Sequence, residues 1–196
     1  VVIALAHFGD FAEGVAPGSP WLGLMLPYTP LHHLLCADTG GALVMTSGNL
    51  TDEPIAFDDE DARNRLSEIA DAFLIHDRPI HRRCEDSVVR SRFPIRRSRG
   101  FAPGSVPLPA AARAPLVATG AELKSTFCVV RDREAFLSPH LGDLDSESAY
   151  RAFRTDLELY LRMLAVKPEL IAHDLHPDHL STRWAVDQEA ETLGVQ

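Results

Sequence analysis

The feature that most constrains this chain is the stretch from Phe101 to Pro115, which carries Pro103, Pro107, Pro109 and Pro115, with Gly104 and an alanine-rich run between them. Proline fixes φ and removes an amide donor, so neither a helix nor a central strand runs through such a segment. It reads as an extended, semi-rigid linker. The expected organisation is therefore a first part over residues 1–100, a linker over 101–115 and a second part over 116–196. At 196 residues, with 45% apolar and 24% charged side chains, the chain is an ordinary globular protein. It opens on a strand-like run and ends without a stop signal, so it is expected to be a piece of something longer. No apolar run approaches the roughly 18 residues of a membrane span. The apolar start lacks a basic flank, and Asp10 and Glu13 follow soon after, which argues against a signal peptide. Cys36, Cys84 and Cys128 form no CxxC pair and are expected to be reduced, in a cytoplasmic protein.

Short apolar runs alternate with amphipathic segments in the first part. Leu22–Leu26, Leu43–Thr46, Ala72–Ile75, Ser87–Arg90 and Pro94–Arg97 predict strands. Thr29-Pro30 followed by Leu31, Leu34 and Leu35 predicts a capped helix, and Asp58–Leu66 a second one. After the linker, Leu116–Thr119, Phe127–Val130 and Ala135–Leu137 predict an antiparallel meander with turns at Gly120 and Asp132. Ser146–Leu164 follows as a long helix with Ala149, Phe153, Leu157, Tyr160, Leu161 and Leu164 on one stripe. Leu170–Ala172 predicts a strand leading into His173-Asp174, with helix from Pro177 onward. The fold class is mixed α+β and α/β. The second part has the order in which an actin/sugar-kinase/Hsp70-like fold begins, an order that other α/β folds share.

The net charge of −9 conceals a sharp asymmetry. Arg78, Arg82, Arg83, Arg90, Arg92, Arg96, Arg97 and Arg99 stand against only Glu85 and Asp86, so this segment carries 8 − 2 = +6 and the remainder −15. Acidity overall argues against general nucleic-acid affinity, while a local arginine cluster suits a phosphate-bearing ligand. Guanidinium groups grip phosphate oxygens with two prongs and stay charged at every physiological pH. The same cluster also fits a solvated basic edge that keeps a strand from pairing with other chains.

Three further constellations carry chemistry-bearing residues. Met45-Thr46-Ser47-Gly48-Asn49-Leu50-Thr51-Asp52-Glu53-Pro54 sets hydroxyls, an amide and a glycine in one loop, which suits a phosphate or nucleotide and equally an ordinary turn. His173-Asp174-Leu175-His176-Pro177-Asp178-His179 holds ligand types for Zn²⁺ or Fe²⁺, or a strand-end turn before a helix. Gly120-Ala121-Glu122-Leu123-Lys124-Ser125-Thr126 is a turn holding one of only two lysines, the other being Lys167. His32-His33, on the first helix, reads as structural or exposed.

Several long runs together resemble one family, the hydrogenase-maturation carbamoyltransferases HypF. They are Leu26-Pro27-Tyr28-Thr29-Pro30-Leu31-His32-His33-Leu34-Leu35, Val44-Met45-Thr46-Ser47-Gly48-Asn49, His76-Asp77-Arg78-Pro79-Ile80-His81-Arg82-Arg83-Cys84, Arg96-Arg97-Ser98-Arg99-Gly100, Gly120-Ala121-Glu122-Leu123-Lys124, His140-Leu141-Gly142-Asp143-Leu144 and Asp174-Leu175-His176-Pro177-Asp178. The resemblance implies the latter part of a YrdC-like, twisted-sheet adenylate-forming module, then the start of a sugar-kinase/Hsp70-like transferase domain. It implies use of carbamoyl phosphate and ATP, with Mg²⁺, to make carbamoyl-adenylate. The carbamoyl group then passes to the C-terminal cysteine of the partner HypE, on the way to the cyanide ligands of [NiFe]-hydrogenase. By position, Thr46, Ser47 and Asn49 match the nucleotide-contacting signature. Arg83, Ser87, Arg97 and Arg99 lie where phosphate contacts are expected, and Arg97 and Asn49 are the catalytic candidates. Lys124, Asp143, Asp174 and His176 are candidates in the second part. His179 stands where the family more often has Tyr, which weakens a three-histidine metal site. The family's Zn²⁺- or Fe²⁺-binding histidines are expected beyond Gln196, so no metal ligand is assigned here.

Three other functions share some of these features. Small-molecule O-carbamoyltransferases resemble both parts but place the transferase first. Threonylcarbamoyl-adenylate synthases resemble the first part, lack the second, and usually have Ala at the position of Gly48. A double-stranded RNA-binding module has only the +6 segment in its favour, against −15 elsewhere. No membrane partner is expected.

Overall fold

In the computed structural model, residues 2–5, 13–51 and 53–196 are described; Asp10 and Asp52 lie outside them. Internal packing divides the chain into two units that interleave in sequence. One comprises residues 1–47 and 86–96; the other comprises 48–85 and 97–196.

The first unit holds a four-stranded sheet of β1 (Val2–Leu5), β2 (Trp21–Leu24), β3 (Val88–Arg90) and β4 (Phe93–Arg96) in the order β2-β1-β3-β4. Strand β1 pairs antiparallel with β2 and parallel with β3. Helix α1 (Pro30–Thr39) begins where its cap predicts: Thr29 is extended, its hydroxyl accepts from the His32 amide, and Pro30 occupies the first turn. Gly40, at φ 68°, ends it by donating to the Cys36 carbonyl. The strand expected at Leu43–Thr46 does not form. This run lies outside any ladder, with Val44 75% exposed. An apolar run becomes a strand only where a partner edge takes up its backbone groups.

The second unit is built on a six-stranded sheet. Its strands are β5 (Val106–Pro107), β6 (Leu116–Ala118), β7 (Cys128–Arg131), β8 (Glu134–Leu137), β9 (Leu170–Asp174) and β10 (Glu191–Val195), in the order β10-β9-β6-β7-β8-β5. The β6–β7–β8 meander is antiparallel as expected, and β9 returns parallel to β6. Helix α2 (Asp59–Leu66) is capped by Asp58, whose carboxylate accepts from the Glu60 and Asp61 amides. Helix α3 (Glu147–Leu164) is capped by Ser146 and buries Ala149, Phe153, Leu157 and Tyr160 on one stripe. These meet Val117, Phe127, Val129, Phe136 and Ile171 in the core. Phe127 stands edge-on to both Phe153 and Tyr160.

Three expectations change here. The proline-rich stretch is extended but not free: β5 pairs with β8, the Leu108 amide donates to the Arg133 carbonyl, and Ala112 to Asp132. Proline suits this place because an edge strand offers only one side to its neighbour. Ala72–Ile75 forms no strand, and Leu74 is 65% exposed. Helix after Pro177 begins only with α4 (Leu180–Val186), and β10, unread in the sequence, then pairs parallel to β9. Phe153 is fully buried and packs against the Phe127, Tyr150 and Trp184 rings, so Phe153→Ala is expected to cost about 3–5 kcal/mol. A lower urea midpoint at unchanged m-value would show it.

Candidate functional site

The arginine segment separates once it is folded. Thr46, Ser47 and Ser87 belong to the first unit, whereas Asn49, Arg83, Arg97 and Arg99 belong to the second. Thr46 and Ser47 are exposed and Ser87 is buried. Asn49 turns its amide onto the Leu50 carbonyl, 2.8 Å away, and Gly48 accepts from the Ala56 amide. Arg97 donates to the Gly104 carbonyl at 3.3 Å and lies over the Phe101 ring, so it ties down the start of the proline-rich stretch. Arg99 donates to the Cys84 carbonyl at 3.1 Å.

Arg83 is the most altered from its expected role. Its guanidinium is nearly buried, 3.9 Å from the equally buried carboxylate of Asp156 on α3. Beside it, Arg82 lies over the ring of Tyr160. Burial pulls the Arg83 pKa down and pushes that of Asp156 up, each opposed by the partner's charge. Burial likewise raises the Tyr160 hydroxyl against the charge of Arg82. Asp156 and Tyr160 went unread as partners. The available signal was an aspartate set among the apolar positions of α3, where an ion needs a counter-charge.

The second-part candidates gather at the carboxyl ends of β6 and β9. These strands run in parallel register, Ala118 beside Ala172, so the loops that follow them adjoin. Gly120 turns the first loop at φ 68°, where a Cβ would strike the Thr126 carbonyl. The loop is then stitched to residues 141–144. The Lys124 amide donates to the Asp143 carboxylate at 2.5 Å, Leu144 to the Glu122 carbonyl and Ser125 to the Gly142 carbonyl. Lys124 itself has φ 49°, the left-handed region. In the second loop, the Asp174 carboxylate accepts from the His176 amide at 2.7 Å, and the His176 and His179 rings stack with centroids 4.4 Å apart. His179 lies between Asp174 and Glu122, at 3.3 and 3.4 Å.

Lys124 and Asp143 thus meet directly, and Asp174 and His176 share one turn. Glu122 and His179 join this corner; in the sequence His179 reads only as a third metal-binding histidine, and Glu122 has no role. Chemically, it combines an exposed lysine, a tight turn and carboxylates, a set suited to a phosphate and its counter-ion. Among the described residues, no group of three or more His, Cys, Asp or Glu side chains is arranged to hold a metal ion.

Breaking the buried pair from one side leaves an uncompensated charge, so Asp156→Ala is expected to cost about 3 kcal/mol in urea unfolding at neutral pH. The Arg83→Met/Asp156→Leu double variant is expected to be near wild type. The folded pKa of Asp156 is raised, so its contribution to stability is complete below the ordinary aspartate range. That contribution is lost as pH rises through the folded value. This part of the pH dependence of stability should vanish in Asp156→Asn.

Comparison with known proteins agrees with this layout. The family model described as telomere recombination, for Sua5/YciO/YrdC proteins, matches residues 1–98, and the model described as HypF Kae1-like domain matches residues 111–196. The carbamoyltransferase HypF of Rhodobacter capsulatus is 45% identical over 99% of this chain and 27% of its own length. That of Rhizobium leguminosarum bv. viciae is 44% identical over 100% of this chain and 27% of its own. A crystal structure of full-length HypF in its phosphate- and nucleotide-bound form superposes with TM-score 0.94 at 39% identity, covering 100% of this chain and 32% of that one. HypF of T. kodakarensis superposes with TM-score 0.88 at 35% identity, covering 94% of this chain and 25% of that one. The chain spans about a quarter of the length of the curated relatives it matches. With both models matched in one order and relatives aligned across the interval between them, the chain belongs to the HypF family.

Proposed function

We propose that this chain is part of a cytoplasmic, ATP-dependent carbamoyltransferase of [NiFe]-hydrogenase maturation. In this reading, residues 1–100 are the latter part of the adenylate-forming module and residues 116–196 the start of the transferase domain. The observation that carries it is the near-complete alignment to carbamoyltransferases HypF, one of them seen with phosphate and nucleotide bound.

The reaction runs in two transfers. Water first hydrolyses carbamoyl phosphate to carbamate and inorganic phosphate. A carbamate oxygen then attacks the α-phosphorus of ATP; an O–P bond forms, the bond from that phosphorus to the β-phosphate bridge breaks, and pyrophosphate leaves. The thiol of the C-terminal cysteine of HypE then attacks the carbamoyl carbon, losing its proton, and AMP leaves. Charge builds on the α-phosphate in the first transfer, and cationic and hydroxyl donors held in place lower that barrier. Thr46, Ser47 and Asn49 contact the nucleotide, and Ser87, Arg97 and Arg99 the phosphates. Arg83, paired with Asp156, supplies a contact only by leaving that partner.

In the transferase part, the ammonium of Lys124 in the Gly120–Lys124 turn suits the phosphate of the adenylate, with Asp174 and His176 at the neighbouring strand end. Asp143 has the hard oxygen donors that Mg²⁺ takes alongside phosphate oxygens, and Mg²⁺ there would neutralise phosphate charge. The Zn²⁺ or Fe²⁺ of the parent protein is assigned to residues outside this chain. Among the described residues, no helix is long and apolar enough to cross a membrane.

In the full-length parent protein, Arg97→Ala combined with Asn49→Ala is expected to abolish carbamoyl phosphate-dependent formation of AMP and pyrophosphate from ATP. The assay follows pyrophosphate release, and unchanged turnover in the double variant would overturn the assignment of these two residues.

A further inference from the structure

The turn at Gly120–Lys124 is held from two sides, and only one of them lies within the candidate set. Residues 141–144 hold it through Asp143, Gly142 and Leu144. From the other side it meets the start of α4: the Ser181 hydroxyl donates to the Gly120 carbonyl at 3.1 Å, and the His179 ring lies beside the Glu122 carboxylate. His179 is the residue before α4, yet its side chain caps no amide of that helix. Its ring instead spans two carboxylates, Nε2 at 3.4 Å from Glu122 and Nδ1 at 3.3 Å from Asp174. Nδ1 sits at ion-pair distance but off the line of a hydrogen bond.

The surroundings restrict the ring further. Asp174 is fixed by the His176 amide, and the His176 ring covers one face of His179. The Thr182 hydroxyl donates to the Asp174 carbonyl, so the start of α4 is also tied to the end of β9. Glu122 is thereby a second link, beside Ser181, between the strand-end turn of β9 and the turn that carries Lys124.

We infer that His179 is a positioning residue, holding the Gly120–Lys124 turn through Glu122 so that the Lys124 ammonium faces the phosphate of the carbamoyl-adenylate. It acts without touching the ligand. This rests on the reading of the turn as a phosphate site, and the test separates the two.

In the full-length protein, His179→Phe keeps a ring but removes both polar contacts, whereas the amide of His179→Gln donates to one carboxylate. Two readouts are taken: hydrogen exchange at the amides of residues 122–126, and carbamoyl transfer to the terminal cysteine of HypE. In His179→Phe, exchange is expected to quicken about tenfold and transfer to fall about tenfold, with His179→Gln recovering part of both. Adding Glu122→Gln to His179→Phe is expected to change neither further. Unchanged exchange in His179→Phe, or a Gln variant no better than Phe, overturns the positioning role. Faster exchange with undiminished transfer confirms the clamp on the turn and overturns the turn as a phosphate site.

Discussion

The second unit depends on the contact between the apolar stripe of α3 and the face of the six-stranded sheet. Phe153, Leu157 and Tyr160 close over Val117, Val129 and Ile171, and the edge-on meeting of Phe127 with Phe153 and Tyr160 fixes how the helix lies. Aromatic pairs of this kind add about 0.5–1.5 kcal/mol each beyond the area they bury. Their larger effect here is geometric. With α3 set on the sheet, β6 and β9 run side by side, and the loops at their carboxyl ends have a defined spacing. The same helix presents Asp156 and Tyr160 to Arg83 and Arg82, so residues from the segment before the proline-rich stretch become part of this unit.

Arginine clustering is a real signal in this sequence, but folding divides its meaning. Arg97 and Arg99 hold main-chain carbonyls, Arg83 meets a buried carboxylate, and Arg90 lies 3.9 Å over the Trp21 ring in the other unit. A guanidinium has five donors in a rigid plane, so it can brace a chain and contact a ligand with different edges. Charge density along the sequence therefore locates cations without saying which are already engaged.

Most helices and the meander were legible because their signals are local. Thr29-Pro30, Asp58 and Ser146 carry their caps within three residues, and the α3 stripe repeats at helical spacing. Strand composition gave a strand only where a neighbouring strand takes up the backbone groups. Leu43–Thr46 and Ala72–Ile75 have strand composition and no ladder, whereas β5 and β10 have poor composition and become strands because β8 and β9 offer them an edge. The site followed the same division. Lys124 and Asp143, and Asp174 and His176, were legible as motifs, and the fold brings each pair together. Glu122 and His179 lie 57 positions apart, and only the parallel register of β6 and β9 makes them neighbours.

Composition invites a cut between residues 100 and 115; one matched model ends at residue 98 and the other begins at residue 111. Internal packing instead groups residues 48–85 with residues 97–196. A piece beginning after Pro115 would carry Asp156 without Arg83 and Tyr160 without Arg82, and would lack β5 along β8. Anyone isolating the residues after Pro115 for binding work would be handling a piece with a carboxylate stranded in its interior. The second unit is discontinuous in sequence, and residues 48–85 belong to it.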